Sequence, residues 1–141
     1  MRILVTGSRG KVGSATVDAL HAAGHHVTAC DLGSPVFEAP PPGAPAYQQA
    51  DLTDAGDAFA VVRGHDAVIH AAAIPEPTRN PPHRVFQNNL MGVFNTLEAA
   101  IRRARRARRS GPTSTSTTSP TRCASRPSRS SRPTRLSLIH I

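Results

Sequence analysis

The chain has 141 residues, 38% of them hydrophobic, with two cysteines and a formal net charge of +8. This length fits a single domain of ordinary size. Two cysteines are too few for a disulfide framework or a cysteine-based zinc site, and no apolar run approaches the roughly 20 residues of a membrane-spanning helix.

The charge is unevenly distributed along the chain. Residues 1–100 contain six basic and all nine acidic residues, whereas residues 101–141 contain eleven arginines and no acid. The net positive charge therefore predicts nothing about partners of the first hundred residues. A strand-like run follows Met1 directly, without the pattern of a signal peptide, so we expect a cytoplasmic protein with no membrane partner.

The first thirty residues have the pattern of a β-α-β unit. Ile3–Val5 is a short apolar run, typical of a strand buried on both faces. Apolar and small residues recur at helical spacing over residues 12–23, and Gly24 is a natural helix end. Val27–Cys30 predicts a second strand that ends at Asp31. This length suits a right-handed crossover between parallel strands.

The alternation continues to about residue 100. Residues 32–46 contain five prolines and predict a surface loop, and residues 47–50 predict an edge-like strand. A short helix is predicted over residues 54–63, a fourth strand over 67–71, and a long helix over 86–101. Strands that alternate with helices indicate an α/β fold with a Rossmann-type, doubly wound parallel sheet.

A glycine-rich loop joins the first strand to the first helix. Gly7 would allow a tight turn, Gly10 would let the backbone approach a pyrophosphate, and Gly13 would let the helix pack closely on the strand. The N–H groups at the positive end of the helix would face the phosphates. This placement inside a β-α-β unit predicts dinucleotide binding rather than a plain turn.

Asp31, eighteen residues after Gly13, indicates which dinucleotide is bound. Its carboxylate is placed to accept hydrogen bonds from the adenosine ribose hydroxyls and would repel a 2′-phosphate, which favours NAD. Arg9 and Lys11 are close enough to reduce that preference, or else are solvated loop cations. NADP therefore stays an alternative.

Five motifs follow one another in the first hundred residues. They are the G-x-x-G-x-x-G form at Gly7, Gly10 and Gly13, the acid Asp31, and the segments 51–54, 66–73 and 88–100. In this order they resemble the extended short-chain dehydrogenase/reductases, in particular the NAD-dependent epimerase/dehydratase group that includes UDP-glucose 4-epimerase.

The resemblance implies further cofactor contacts. Asp51 would bond the adenine amino group with Leu52 beside it, Ala71–Ala73 would line the cofactor, and Asn88 would reach in from the long helix. Without the resemblance, a helix-cap neighbour, small packing residues and a solvated asparagine would explain these positions. The expected cofactor-binding residues are Gly7, Gly10, Lys11, Val12, Gly13, Asp31, Leu32, Asp51, Leu52, Ala71, Ala72, Ala73 and Asn88.

The histidines do not indicate a metal site. His25 and His26 predict an exposed turn, and His70 a hydrogen-bonded residue at a strand end, and neither has a second ligand at metal spacing.

The catalytic residues of the family are missing. Its members use a Tyr-x-x-x-Lys pair after the fifth strand, in which lysine lowers the pKa of the tyrosine that acts as acid and base. The sequence holds one tyrosine, Tyr47, and one lysine, Lys11, in the reverse order. Ser114, Ser116 and Thr117 lie near the position of the family's catalytic Ser/Thr. We interpret this match as a coincidence, because the segment is rich in Ser and Thr. We expect no catalysis by this chain.

The C-terminal residues break the alternation, because residues 102–135 contain no Val, Ile, Leu, Phe, Met or Tyr. One interpretation is a disordered arm that binds nucleic acid through phosphates, but the arm has no aromatic residue for base stacking. A second is a regulatory, non-catalytic member of the same superfamily, which would still need a fifth strand. The favoured third is a frame-shifted tail, whose last residues, 136–141, look like a translated transposase end sequence.

Residues 1–101 are therefore expected to form a partial NAD(P)-binding Rossmann domain, truncated after about four strands, and residues 102–141 a disordered or frame-shifted tail. The intact parent would be a homodimeric oxidoreductase or epimerase acting on a nucleotide-sugar or related sugar. The alternative is a non-catalytic dinucleotide-binding protein with a basic nucleic-acid-binding arm. The edge of the fourth strand would be left unpaired, which predicts self-association.

Overall fold

The computed structural model describes residues 1–34, 41–75, 79–109 and 137–140. The middle of the predicted loop 32–46, residues 76–78 and most of the tail lie outside these ranges. The elements in chain order are β1 (Arg2–Thr6), α1 (Lys11–Ala22), β2 (His26–Asp31), β3 (Ala46–Gln49), α2 (Ala55–Val62), β4 (Ala67–His70), α3 (Pro82–Arg109) and β5 (Ser137–His140).

The strands form one parallel sheet in the order β3-β2-β1-β4-β5. β1 pairs with β2 on one side and with β4 on the other, and β3 lies at the outer edge, as its polar sequence predicted. The predicted α/β, Rossmann-type arrangement is confirmed.

Helices cover both faces of this sheet. Successive strand residues point to opposite sides, so neighbouring residues of β1 pack against different helices. Ile3 and Val5 pack with Val17 of α1 in one buried cluster. Leu4, between them in sequence, is fully buried in a second cluster with α2 and α3. The continuous apolar run of β1 is therefore explained by burial on both faces.

α3 buries a face that its apolar periodicity did not indicate. The side that packs against α2 and the sheet consists of small and polar residues, among them Asn95, Thr96, Ala99 and Ala100. Gly92 lies on the same face, where an added Cβ would be in ordinary van der Waals contact with the Cβ of Leu52, at 3.7 Å. The large apolar residues form an outward stripe instead: Phe86, Leu90, Met91, Phe94, Leu97 and Ile101.

α3 also continues past residue 101, where we expected the domain to end, as far as Arg109. None of the helices in the described part of the chain is both long and apolar enough to cross a membrane.

The outer edge of β4, which we expected to be unpaired, is paired with another strand. Ser137–His140 pairs with β4 in parallel, with Val68 opposite Leu138 and Ile69 opposite Ile139. An open strand edge presents unpaired N–H and C=O groups, and a short segment in extended conformation can satisfy them. The expectation of an unpaired fourth strand is therefore wrong, and four residues assigned to the tail belong to the sheet.

Candidate functional site

A cavity of about 380 Å³ opens at the carboxyl edge of the sheet, where β1 has β2 on one side and β4 on the other, so that the strand order reverses. Ligands of doubly wound folds bind at such a reversal of strand order. Ten of the thirteen residues expected from the sequence line this cavity: Gly7, Gly10, Asp31, Leu32, Asp51, Leu52, Ala71, Ala72, Ala73 and Asn88.

Gly7 directly follows β1 and lies against the backbone of Ala71 and Ala72, which follow β4. Its φ of 69° falls in the left-handed region that favours glycine, as the expected tight turn requires. A Cβ at this position would also lie 2.6 Å from the carbonyl carbon of Ala71. Glycine is therefore needed at this position both for the turn and for the close approach of the two backbone segments that line the cavity.

Gly13 lies on the first turn of α1, outside the cavity lining. A Cβ there would lie 2.0 Å from the carbonyl oxygen of Gly7, so the helix approaches the loop itself. We expected a close approach to the strand, and the nearest atoms belong to the turn that follows it. The physical reason is that α1 starts only a few residues after Gly7, beneath the folded loop.

Lys11 and Val12, also expected from the sequence, do not line the cavity either. They begin α1, whose N-cap is Gly10 and whose first turn holds no acidic residue. Because glycine has no side chain with which to cap the helix, the first-turn N–H groups are left to other acceptors.

Asp31 is held in a fixed orientation by the backbone. Its Oδ2 accepts a hydrogen bond from the N–H of Arg9 over 2.9 Å, and its Oδ1 accepts one from the N–H of Leu32 over 2.8 Å. A carboxylate has about four acceptor positions, so each oxygen keeps capacity for a ligand hydroxyl.

Asp51 shapes the opposite wall of the cavity. Its Oδ1 accepts hydrogen bonds from the N–H of Thr53 over 2.9 Å and from the Thr53 hydroxyl over 2.7 Å. This is a local turn that also leads into α2, whose N-cap is Asp54. One oxygen of Asp51 therefore supports the loop, and Oδ2 is the oxygen left for a ligand.

Two asparagines of α3 anchor the loops that surround the cavity. Asn89 accepts from the N–H of Ile74 over 2.8 Å and donates to its carbonyl oxygen over 3.1 Å. Asn95 donates to the carbonyl oxygens of Leu52 and Thr53. Asn88 lines the cavity and donates to Asn89 over 3.2 Å.

Sequence reasoning missed four residues of the lining and both anchoring asparagines. The additional lining residues are Arg9, Ala50, Ile74 and Gly92. Asn89, Gly92 and Asn95 all lie within the segment 88–100, one of the five motifs on which the family resemblance rests. That motif could have indicated these positions, but it did not show that they line the cavity or anchor its loops. Arg9 was expected either to reduce the preference for NAD or to be a solvated loop cation, and it lines the cavity.

His70 and Cys30 lie below the site in the core. His70 is 2% exposed, and its Nδ1 is 2.9 Å from the hydroxyl of Thr6, which confirms the expected hydrogen-bonded residue at a strand end. Burial, with smaller contributions from Asp31 and Asp57, raises the pKa of the Cys30 thiol to about 12. No group of metal-ligating side chains occurs among the described residues.

Residues 3–135 match the model of the NAD dependent epimerase/dehydratase family. An L-arabinose 1-dehydrogenase (NAD(P)(+)) of Haloferax volcanii is 36% identical over 100 residues, which cover 71% of this chain and 36% of the dehydrogenase. A 3 beta-hydroxysteroid dehydrogenase/Delta 5-->4-isomerase of Mycobacterium tuberculosis is 36% identical over 107 residues, covering 72% of this chain and 28% of that protein.

Solved structures give the same picture. A mutant uronate dehydrogenase of Agrobacterium tumefaciens complexed with NAD superposes with a TM-score of 0.59 at 33% identity, covering 70% of this chain and 36% of that one. A UDP-glucose-4-epimerase of Stenotrophomonas maltophila, with bound NAD and formylated UDP-arabinopyranose, superposes with a TM-score of 0.59 at 29% identity, covering 72% and 33%. The chain thus spans about a third of the length of these relatives.

Proposed function

Because this chain belongs to the NAD-dependent epimerase/dehydratase family, we propose that it binds NAD in the cavity at the carboxyl edge of its sheet. The observation that carries the proposal is that residues from two loops, the end of β2 and one helix line a single cavity: Gly7, Gly10, Asp31, Asp51 and Asn88. A bound nicotinamide would supply the capacity to accept or return a hydride.

The residues present fit such a cofactor. The cavity volume, about 380 Å³, lies in the range of small-molecule sites. The uncapped start of α1, with the first-turn N–H groups of Lys11, Val12 and Gly13, suits a pyrophosphate, because these donors lie at the positive end of the helix. A Cβ at Gly10 would meet only the carbonyl oxygen of Gly7, at 3.3 Å, so the loop leaves room for phosphate oxygens.

The remaining side chains suit the adenosine half. The oriented carboxylate of Asp31 would accept from the ribose hydroxyls, with Leu32 beside it. Oδ2 of Asp51 would accept from the adenine amino group, and Leu52 would pack on the ring. The small side chains of Ala71–Ala73 leave space for the cofactor above β4.

We also propose a substrate class for a full-length counterpart of this chain. A full-length counterpart would act on a nucleotide-sugar or related sugar, since relatives include an arabinose dehydrogenase, a uronate dehydrogenase and a UDP-glucose-4-epimerase. This chain alone would be inactive, because its one tyrosine, Tyr47, donates to the carbonyl oxygen of Gly33 at the edge strand β3 and no lysine follows it.

Titration of NADH into the full 141-residue chain, followed by nicotinamide fluorescence and by calorimetry, tests the proposal. We expect saturable binding that Asp31→Asn weakens about tenfold through loss of a charged hydrogen-bond acceptor. Asp18→Asn is the matched control, because this exposed carboxylate lies on α1 away from the cavity. Absence of binding, or equal effects of the two substitutions, would contradict the proposal.

We also propose that a full-length counterpart is a homodimer. The outward stripe of α3 supports this, because six large apolar side chains are exposed along one helix and such patches mark association sites. A location in the cytoplasm remains a prediction from the sequence.

A further inference from the structure

We propose that a groove between α2 and α3 binds an oligophosphate, a compact ligand with two or three linked phosphate groups. The groove is a cavity of about 440 Å³ whose polar lining consists of four arginines and no acid: Arg63, Arg102, Arg103 and Arg106. This arginine groove shares no lining residue with the candidate dinucleotide cavity. A ligand in the groove would therefore be bound independently of the proposed dinucleotide.

The four arginines are brought together by the packing of the two helices. Three of them follow Ala99 by three, four and seven residues, a spacing that places side chains on one face of a helix. Ala99 is 3% exposed and belongs with Val62 to the buried cluster that α2 and α3 share. Arg63 directly follows α2 and supplies the fourth cation. The positive charges are thus concentrated at a packed contact between helices.

Arg102 is held in a fixed orientation at this contact. Its Cζ atom lies 5.6 Å from the centroid of the Phe59 ring, a distance at which a cation is attracted to the aromatic face. Its Nε donates to Oε1 of Glu98 over 2.5 Å. A guanidinium has five N–H donors, so both Nη groups are left for a ligand. Because the side chain is already oriented, binding costs less conformational entropy.

Arg103 has a partly buried charge that is poorly compensated. Its Nη2 lies 3.9 Å from Oδ1 of Asp66, which is too far for a hydrogen bond. Both oxygens of that carboxylate accept hydrogen bonds from Arg2 instead. Burial lowers the pKa of the Arg103 guanidinium, and the charge of Arg2 lowers it further, against the attraction of Asp66. Among the described residues, Arg103 therefore has no carboxylate within hydrogen-bond distance, and an anion in the groove would supply one acceptor.

The charges and the size of the groove indicate the class of ligand. Four arginines face two carboxylates, those of Glu98 and Asp66, which leaves an excess of two positive charges. Guanidinium groups bind phosphate oxygens through parallel pairs of N–H groups. The volume lies in the range of small-molecule sites. A nucleic-acid strand fits less well, because its bases need an aromatic platform and the Phe59 ring already carries Arg102.

Titration calorimetry of the full chain with sodium tripolyphosphate, in about 0.15 M salt to screen weak surface attraction, tests the proposal. We expect saturable binding of one ligand per chain. Arg103→Gln should weaken this binding about tenfold through loss of charged hydrogen bonds. Arg105→Gln is the matched control, with an effect below about twofold, because it removes the same charge from the same helix outside the groove.

Two further variants separate binding from folding. Arg106→Gln changes an exposed side chain and should weaken tripolyphosphate about fivefold without disturbing the core. Phe59→Leu keeps an apolar side chain but removes the ring beside Arg102, and should weaken the ligand about threefold. Thermal unfolding without ligand measures whether each variant is folded.

Absence of saturable binding to the wild-type chain would overturn the proposal, and so would equal losses in Arg103→Gln and Arg105→Gln. Displacement of tripolyphosphate by NADH would place the ligand at the glycine loop, which overturns the arginine groove and leaves the proposed function intact. Tighter binding of a short single-stranded DNA, with the same loss in Arg103→Gln, would overturn the oligophosphate in favour of nucleic acid. If NADH does not bind but tripolyphosphate binds in the expected pattern, only the proposed function is overturned.

Discussion

Nδ2 of Asn95 donates to the carbonyl oxygen of Leu52 over 2.9 Å, with the asparagine only 4% exposed. The same amide donates to the carbonyl oxygen of Thr53 over 3.0 Å. Since Leu52 lines the cavity, this side chain ties one wall of the candidate site to the long helix α3. The buried face of α3 therefore holds part of the cavity wall in place and also packs against α2.

Replacing Asn95 with alanine should lower the free energy of unfolding by about 1–3 kcal/mol, because buried carbonyl groups lose their donor. Urea unfolding followed by circular dichroism measures this change. Gln87→Ala is the control, since it removes an exposed side-chain amide from the same helix. A change no larger than that of the control would show that Asn95 does not support the loop.

Asp66 should contribute stability that depends on pH. Its Oδ1 and Oδ2 accept hydrogen bonds from the side chain and backbone of Arg2, each over 3.0 Å, and these bonds lower the pKa of Asp66 below its ordinary 3.8. A carboxyl group whose pKa is lowered by folding stabilises the protein fully above its unfolded pKa, and this contribution is lost as the pH falls through the folded value.

Asp66→Asn should therefore lower the midpoint of thermal unfolding at pH 7, modestly because Arg2 is exposed. The gap from the wild type should narrow as the pH is reduced below 3.8. Arg103 also faces Asp66, at 3.9 Å, and Arg103→Gln should show a weaker form of the same trend. A gap that is constant from pH 7 to pH 3 would contradict this account.

Cys30 should resist alkylation in the folded chain. Its side chain is fully buried, and a thiol whose pKa is about 12 has almost no thiolate at pH 8. Iodoacetamide labelling followed by peptide mass spectrometry should find Cys30 unmodified in buffer and modified in urea. Peptide-level analysis is needed because Cys123 lies outside the described residues. Rapid labelling of Cys30 in buffer would mean that the sheet opens readily.

Removal of residues 137–141 should expose the outer edge of β4 and favour association of chains through that edge, because its N–H and C=O groups lose their partners. Light scattering coupled to size-exclusion chromatography measures the outcome. Ile139→Pro is a second variant that removes one backbone donor from β5 without shortening the chain. Unchanged mass and unchanged thermal stability in both variants would contradict the pairing of β4 with β5.

The outward stripe of α3 should promote association through side chains. Leu90→Glu combined with Phe94→Glu should shift any dimer toward monomer, since both residues are exposed and a buried carboxylate in the interface would be costly. The unfolding midpoint of the monomer should stay nearly constant, because neither residue belongs to the core. The same chromatographic measurement applies, with Gln87→Glu as a control on the exposed surface.

The sequence predicted β1, α1, β2 and the acid at Asp31 because local signals coincide there. Apolar runs, helical spacing and the glycine turn all lie within about thirty residues and agree with one another. Sequence periodicity predicted α3 as a helix but not its buried face, because the periodicity follows large apolar residues and the buried face holds small ones such as Ala99 and Ala100.

Two further features could not be predicted because they depend on contacts between distant residues. The lack of room for a Cβ at Gly13, where it would meet the carbonyl oxygen of Gly7, depends on how the loop folds against the start of α1. The pairing of Ser137–His140 with β4 joins segments separated by the whole of α3 and most of the tail. Four residues of ordinary β-propensity give no sign of their partner.

The lining of the cavity comes from parts of the chain near residues 7, 31, 51, 71 and 88, which meet only in the folded protein. A ligand held there would bind the native chain and have no comparable site on the unfolded one. By mass action, a ligand at one hundred times its dissociation constant would add about 2.7 kcal/mol to the free energy of unfolding. Thermal shift in the presence of candidate dinucleotides is thus a direct thermodynamic readout of the site that does not depend on catalysis.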